Sequence, residues 1–303
     1  MALSESSKIC IHIGYHKTAS SWIQVCAFHI HPAIAFINPP QNDFRDFWYK
    51  EAIETDDFSF NKEYIIDRMH QELSKKDISN KVLLISEENL SGHMYSGWNA
   101  KRNAERLFDL FGNCKIFIVI RNQVDYIVSA YSFYVYQYGA MSFKTWLNDY
   151  EIPVRTIYQK LCYDKLIEFY MKLFGSANVL VLPYEMIKLD GGVSLMKMFF
   201  AFINVEELEE KMFATIIREK VNVSLSPATL RLKRLVNGLM GENSPIQRRI
   251  FGVMDRFLLK HIPIQPPIMI KKQREDIQNF FRDSNQRTSK LIGIDLANYG
   301  YPV

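Results

Sequence analysis

Apolar residues in this chain fall into short unbroken runs separated by longer amphipathic stretches. Lys8 to Gly14 (KICIHIG) is rich in Ile and predicts a buried strand, followed by a short polar loop and a helix from about Ala19. Three more runs have the same character: Val82 to Ser86, Lys115 to Ile120, and Asn178 to Leu182. Helical patterns lie between them, notably Trp98 to Phe111 and Leu161 to Phe174. Continuously apolar strands alternating with helices predict a parallel sheet covered on both faces, an α/β doubly wound architecture. From about Val205 the strand signals stop and amphipathic helices take over, with turns near Pro227, Pro245 and Pro266. That pattern predicts one domain over residues 1–303, with residues 205–303 as a helical cap or appendage. Residues 35–80 give no clear pattern.

Composition narrows the classes. A chain of 303 residues, 48% apolar and 14% aromatic, can bury a large core. It has no apolar run long enough to span a bilayer, and its first residues lack signal-peptide organisation, so a cytoplasmic protein is expected. Cys10, Cys26, Cys114 and Cys162 lie far apart, with no histidine at metal-ligand spacing, so no metal site is expected. The net charge of +4 is uneven: from Val221 onward Lys and Arg outnumber Asp and Glu, while the earlier part is slightly acidic. This asymmetry predicts an anionic ligand or surface near the C-terminal part. No recognised nucleic-acid module or aromatic-interleaved basic run is present, which argues against a nucleic-acid partner.

In an open α/β sheet, ligands sit beyond the carboxyl ends of the strands, and the loop after the first strand offers backbone N–H groups. Here that loop reads GYHKTASSW: Lys17 adds a positive charge, and Thr18, Ser20 and Ser21 add hydroxyl donors suited to a phosphate or sulfate. A Walker A loop would need a glycine where His16 stands, which weakens a kinase or nucleotide-hydrolase reading. The segment Lys17-Thr18-Ala19-Ser20-Ser21-Trp22 instead resembles the 5'-phosphosulfate loop of the sulfotransferase superfamily, KTGTTW, with Ala19 in place of glycine. Ala19 adopts positive φ less readily than glycine would. A second element, KIFIVIRNQVDYIVSAYSFY, resembles the family's 3'-phosphate signature, in which a strand ends in Arg and a Ser follows two turns into the next helix. Arg121, Asn122, Asp125 and Ser129 occupy its positions, and Gln123 replaces a proline. An arginine at a strand end can fork onto a phosphate that a helix serine shares, although Arg121 could instead pair with Asp125. Tyr184 in NVLVLPYEMIK falls where a family tyrosine contacts the adenine side, and SNQRTSKLIGIDLANYGYP resembles bacterial carbohydrate-type members.

The resemblance implies a donor, 3'-phosphoadenosine 5'-phosphosulfate (PAPS), and a product, adenosine 3',5'-bisphosphate (PAP), with no obligatory metal. It also implies a hydroxyl acceptor, on a glycan or glycolipid by the similarity of the tail. Lys17 would stabilise the leaving oxygen, Thr18 to Trp22 the 5'-phosphate, and Arg121 with Ser129 the 3'-phosphate. A His or Glu would take the acceptor proton. Glu87 and Glu88 stand just past the strand end in ISEEN, with His12 and His16 as rivals. Adjacent carboxylates on extended backbone point to opposite sides, and alignment through Asn89-Leu90 selects Glu88, leaving Glu87 to cap a helix or pair with Lys101 or Arg102. The aromatic stretch from Tyr131 to Gly139 could stack on an acceptor or belong to the core. Arg248 to Ile262 reads as a basic amphipathic helix that could rest on an anionic membrane or pack on the core. A kinase or nucleotide hydrolase, and a non-catalytic binder of the same fold, are the alternatives.

Overall fold

The first strand lies in the middle of the sheet. In the computed structural model, which describes residues 9–29, 31–39, 43–75, 78–137, 139–149, 155–209, 226–240, 251, 253–254 and 268–303, the described strands form one five-stranded parallel sheet in the order β2-β3-β1-β4-β5. The strands are β1 (Ile9–His12), β2 (Ile34–Phe36), β3 (Val82–Ser86), β4 (Lys115–Ile120) and β5 (Val179–Pro183). The chain winds from β1 towards β2 and from β4 towards β5, in opposite directions. The switch point between β1 and β4 is where an open α/β sheet presents its crevice. Four of the strands were expected from the sequence. β2, three residues long, is too short to leave a periodic signal.

Strand alternation splits the core in two. Ile116, Ile118 and Ile120 face one cluster with Ile11, Ile85 and the helices α4 (Ala100–Phe111), α5 (Gln123–Gln137) and α8 (Tyr163–Phe174). Phe117 and Val119 face the other, with Cys10, Leu84, Trp22, Phe28 and helix α10 (Val193–Phe202). Because both faces are covered, β4 reads as an unbroken apolar run rather than an alternating one. The helices follow the same logic: Tyr163, Ile167, Tyr170 and Phe174 are buried along one stripe of α8.

Of the C-terminal helices, α11 (Pro227–Met240) packs on α5, and α12 (Lys271–Ile292) packs on α5 and α8. Pro227 stands at the first position of α11, where its missing N–H is harmless. The turns expected near Pro245 and Pro266, and nearly all of the basic helix expected over Arg248 to Ile262, lie outside the described residues. No helix among the described residues is long and apolar enough to cross a membrane. Tyr131 and Tyr134 pack with Phe143 and Trp146 in or against the core, rather than forming an open aromatic face.

Candidate active site

Past His12 the chain keeps bonding to β4, with the Ile13 amide on the Phe117 carbonyl at 2.9 Å and the Tyr15 amide on the Val119 carbonyl at 3.2 Å. It then turns sharply. Lys17 and Ala19 both take left-handed backbone, with φ 65° and 62°, before the short helix α1 (Ser20–Trp22), which widens over Ile23–Phe28. Such conformations cost L-residues free energy and persist where surrounding contacts impose them. Two contacts hold them: the Thr18 hydroxyl donates to the Tyr15 carbonyl, and Arg121 Nη1 donates to the Lys17 carbonyl at 2.7 Å. A Cβ on Gly14 would stand 2.7 Å from His12 Nε2, so the loop lies against the strand end below it.

The two motifs singled out in the sequence therefore meet at the switch point. Arg121 follows β4, its guanidinium 4.7 Å from the centre of the Tyr184 ring, and its Nε is buried without a partner. Asp125 pairs with Lys188 at 2.9 Å, not with Arg121. Asn122 caps α5, its Oδ1 accepting from the Val124 amide, while its Nδ2 donates to the Gly300 carbonyl. Ser129 lies half-buried on α5, and no hydrogen bond ties it to Arg121. Ser21 is also half-buried, whereas Trp22 is buried against Gly192, where a Cβ would come within 2.4 Å of the indole.

Lys17 extends over the Phe133 ring at 4.7 Å. Burial pushes its pKa down, and the Glu88 carboxylate pulls it back up. Glu88 opens a short 3-10 turn, Glu88–Ser91, just beyond β3. Burial raises its pKa first and the neighbouring Glu87 second, while Lys17 and the Ser20 hydroxyl lower it. The two adjacent carboxylates differ as extended backbone predicts. Glu87 is buried, caps that turn by accepting from the Asn89 amide, takes a 2.7 Å bond from Asn89 Nδ2 and pairs with Arg45 at 3.5 Å. Arg45, rather than Lys101 or Arg102, is its basic partner.

Both rival histidines are committed elsewhere. His12 lies within the sheet, its Nδ1 on the Ser86 hydroxyl at 2.8 Å and its ring against Phe28 and Phe117, and burial lowers its pKa to about 3. His16 is held from both sides. Asn89 Nδ2 must donate to Glu87, which leaves Oδ1 to accept from His16 Nε2 at 3.0 Å, so His16 Nδ1 accepts from Lys160 Nζ at 3.4 Å. Burial first, then Lys160, holds the imidazole well below its usual pKa.

Lys160 had no place in the sequence argument. It ends helix α7 (Arg155–Lys160), is 7% exposed, and donates to the carbonyls of Gly92 and His93 at 3.0 Å each. Burial lowers its pKa to about 7, with Glu88 opposing. A lysine beside Ile157 and Leu161, both buried on the same face, was the available signal. Among the described residues no group of three or more His, Cys, Asp or Glu could hold a metal ion.

A family model described as a sulfotransferase domain matches residues 10–219. No curated protein matches the chain. Among solved structures, a sulfotransferase from Alicyclobacillus acidocaldarius is 18% identical over 96% of this chain and 98% of its own, with a TM-score of 0.59. A mouse sulfotransferase complexed with PAP is 15% identical over 98% of this chain and 90% of its own, with a TM-score of 0.50. At these identities the likeness is one of fold.

Proposed function

The chain belongs to the sulfotransferase domain family, and from that premise we propose that PAPS is its donor and a sugar hydroxyl, on a glycan or glycolipid, its acceptor. The observation that carries the reading is the meeting of Lys17, Arg121 and Glu88 at the switch point, Arg121 reaching the Lys17 carbonyl across 104 residues of sequence. The buried, unpartnered Nε of Arg121 is a donor that a phosphate oxygen would satisfy. Thr18, Ala19, Ser20 and Ser21 line the turn that would receive the 5'-phosphate, with Tyr184 beside the nucleotide. Ser129 is proposed to share the 3'-phosphate.

In this reading the Glu88 carboxylate takes the proton of the acceptor hydroxyl as its oxygen bonds to sulfur. The bond between sulfur and the bridging oxygen breaks, and its electron pair stays on the departing 5'-phosphate. Lys17 as ammonium stabilises that oxygen most when its charge is greatest, so its contribution is larger in the transition state than in the ground state. Glu88 suits the base role because its proton affinity is raised and its carboxylate faces Lys17, whereas His16 Nδ1 already accepts from Lys160. The sugar acceptor is supported by the tail's similarity to carbohydrate-type members. Thermal unfolding tests the donor: PAP is expected to raise the midpoint well above that of the free protein, and ATP with magnesium to raise it less. Equal or greater stabilisation by ATP with magnesium would overturn the proposal.

A further inference from the structure

Lys17 and Glu88 stand on two segments that lie past the ends of their strands. β1 and β3 pair as far as His12 and Ser86, and the Glu87 amide adds a last rung by donating to the His12 carbonyl at 3.1 Å. Beyond it the loop turns to β4, to which the Ile13 and Tyr15 amides donate. A side-chain bond then spans the gap, and it joins the residues next in sequence to the two charged groups: His16 Nε2 donates to Asn89 Oδ1 at 3.0 Å.

Both ends of this bond are fixed. Asn89 donates its Nδ2 to Glu87 Oε1 at 2.7 Å and its amide to the same oxygen at 3.2 Å, while its carbonyl accepts from Asn103 at 3.0 Å. The Ser91 hydroxyl closes the turn by donating to the Glu88 carbonyl at 2.8 Å. On the other side, an ammonium has three donors and no acceptor, and Lys160 directs its donors at the Gly92 and His93 carbonyls and at His16 Nδ1. His16 Nδ1 must therefore present a lone pair and Nε2 the proton, which is the tautomer that Asn89 demands. The imidazole stays neutral because burial and Lys160 both oppose a second proton. With both ring nitrogens committed, a buried His16 has none left to take a proton from an acceptor.

Resting on the sulfotransferase reading, we propose that His16 is a positioning residue: fixed in one tautomer by Lys160 and bonded to Asn89, it clasps the donor loop to the turn that bears the base, and so sets the separation of Lys17 and Glu88. The loop and Arg121 hold the donor, whereas the turn holds the base. Loosening the clasp therefore slows transfer without releasing the donor. An error of about 1 Å in such a placement can cost as much as about a hundredfold in rate.

Two substitutions separate the parts of the ring. Gln places its amide nitrogen where His has Nε2 and can still donate to Asn89; Asn reaches only as far as Nδ1 and cannot. The rate is read as PAP released from saturating PAPS with water as the acceptor, and PAP affinity is measured by calorimetry, which also shows that each variant is folded. His16→Asn is expected to lower the rate at least about tenfold with PAP affinity kept within about threefold, and His16→Gln to recover most of that loss. Asn89→Ala should behave as His16→Asn does, and the two together should cost little more than either alone. Equal rates in His16→Gln and His16→Asn, additive losses in the double variant, or PAP affinity falling in step with the rate would each overturn the proposal. If both His16 variants also lose the acid limb of the pH profile, the imidazole is the base and not a clasp. A parent no faster than Glu88→Gln in the same assay would instead remove the base assignment on which the proposal rests.

Discussion

Two side chains of opposite charge face each other across the site, and the pKa of each is displaced towards the other's working range. Burial lowers Lys17 and raises Glu88. If Glu88 must be ionised and Lys17 protonated for turnover, the rate falls on the acid side as Glu88 takes up its proton, and that limb lies above the ordinary carboxylate range. It falls on the alkaline side as Lys17 loses its proton, below the ordinary lysine range. A bell-shaped pH profile of kcat/KM is therefore expected. Glu88→Gln should remove its acid limb and lower turnover at least about a hundredfold without loss of PAP binding; near-normal turnover in that variant would show that another group is the base. Lys17→Met should lower kcat by orders of magnitude with PAP affinity largely kept, a split that steady-state kinetics and calorimetry separate. Arg121→Ala should weaken PAP by roughly 2–4 kcal/mol, the worth of a desolvated charge-assisted contact; unchanged affinity removes it from the donor site. Lys17, Arg121 and the Glu pair were legible because motif chemistry at strand ends is local. Lys160 and the Asn89 amide were not, because their partners are set by tertiary packing of α7 and the Glu88–Ser91 turn against the loop.

At the scale of the element, the turn after β1 departs from what its residues prefer. Ala19 replaces the family's glycine yet still takes left-handed backbone, at φ 62° and ψ 25°. The motif thus holds its shape through contacts rather than through the flexibility of glycine. Ala19→Gly should relieve the strain, partly offset by greater entropy of the unfolded chain, giving a net gain of up to about 1 kcal/mol in urea unfolding. Ala19 also packs against the second core cluster, so a clear loss of stability would show that this packing outweighs the strain. Gly192 is the opposite case. At φ 91°, with the Trp22 ring where its Cβ would stand, Gly192→Ala should cost roughly 2 kcal/mol or more through overpacking and backbone strain together. The same contact explains the placement of Trp22: the last residue of the loop motif anchors α1 to the start of α10. The long strands announced themselves by composition. β2 did not, because three residues held by pairing with β3 have too little local pattern to distinguish them from loop.

In the whole molecule, the chain's end is fastened to the site by buried polar contacts. Gln123, where the family signature has proline, donates to Asn285 Oδ1 at 2.6 Å, and Asn285 returns a bond to Gln123 Oε1 at 3.2 Å and another to the Pro302 carbonyl at 2.8 Å. Tyr301 donates to Glu185, whose other oxygen receives the Asn122 amide, and Asn122 in turn holds the Gly300 carbonyl. The tail therefore reaches Asn122, the residue next to Arg121, directly through Gly300 and indirectly through Tyr301 and Glu185. A sequence pattern shows α12 as an amphipathic helix but cannot show this docking, since a departure from a motif such as Gln123 acquires meaning only when its partner is known. Removing one amide of the buried pair leaves the other's oxygen unsatisfied, although Gln123 keeps the Leu161 carbonyl and Asn285 the Pro302 carbonyl, at a cost of about 1–3 kcal/mol, whereas replacing both with apolar groups can be nearly neutral. Asn285→Leu should accordingly lose about that much in urea unfolding, and the Gln123→Leu, Asn285→Leu double variant should lose less than the sum of the two single changes. If the tail also steadies the strand end that carries Arg121, Asn285→Leu should weaken PAP severalfold although Asn285 lies beyond contact with Arg121. Additive stability losses would show that the two amides act independently, and full PAP affinity in Asn285→Leu would show that the fastening serves the fold alone.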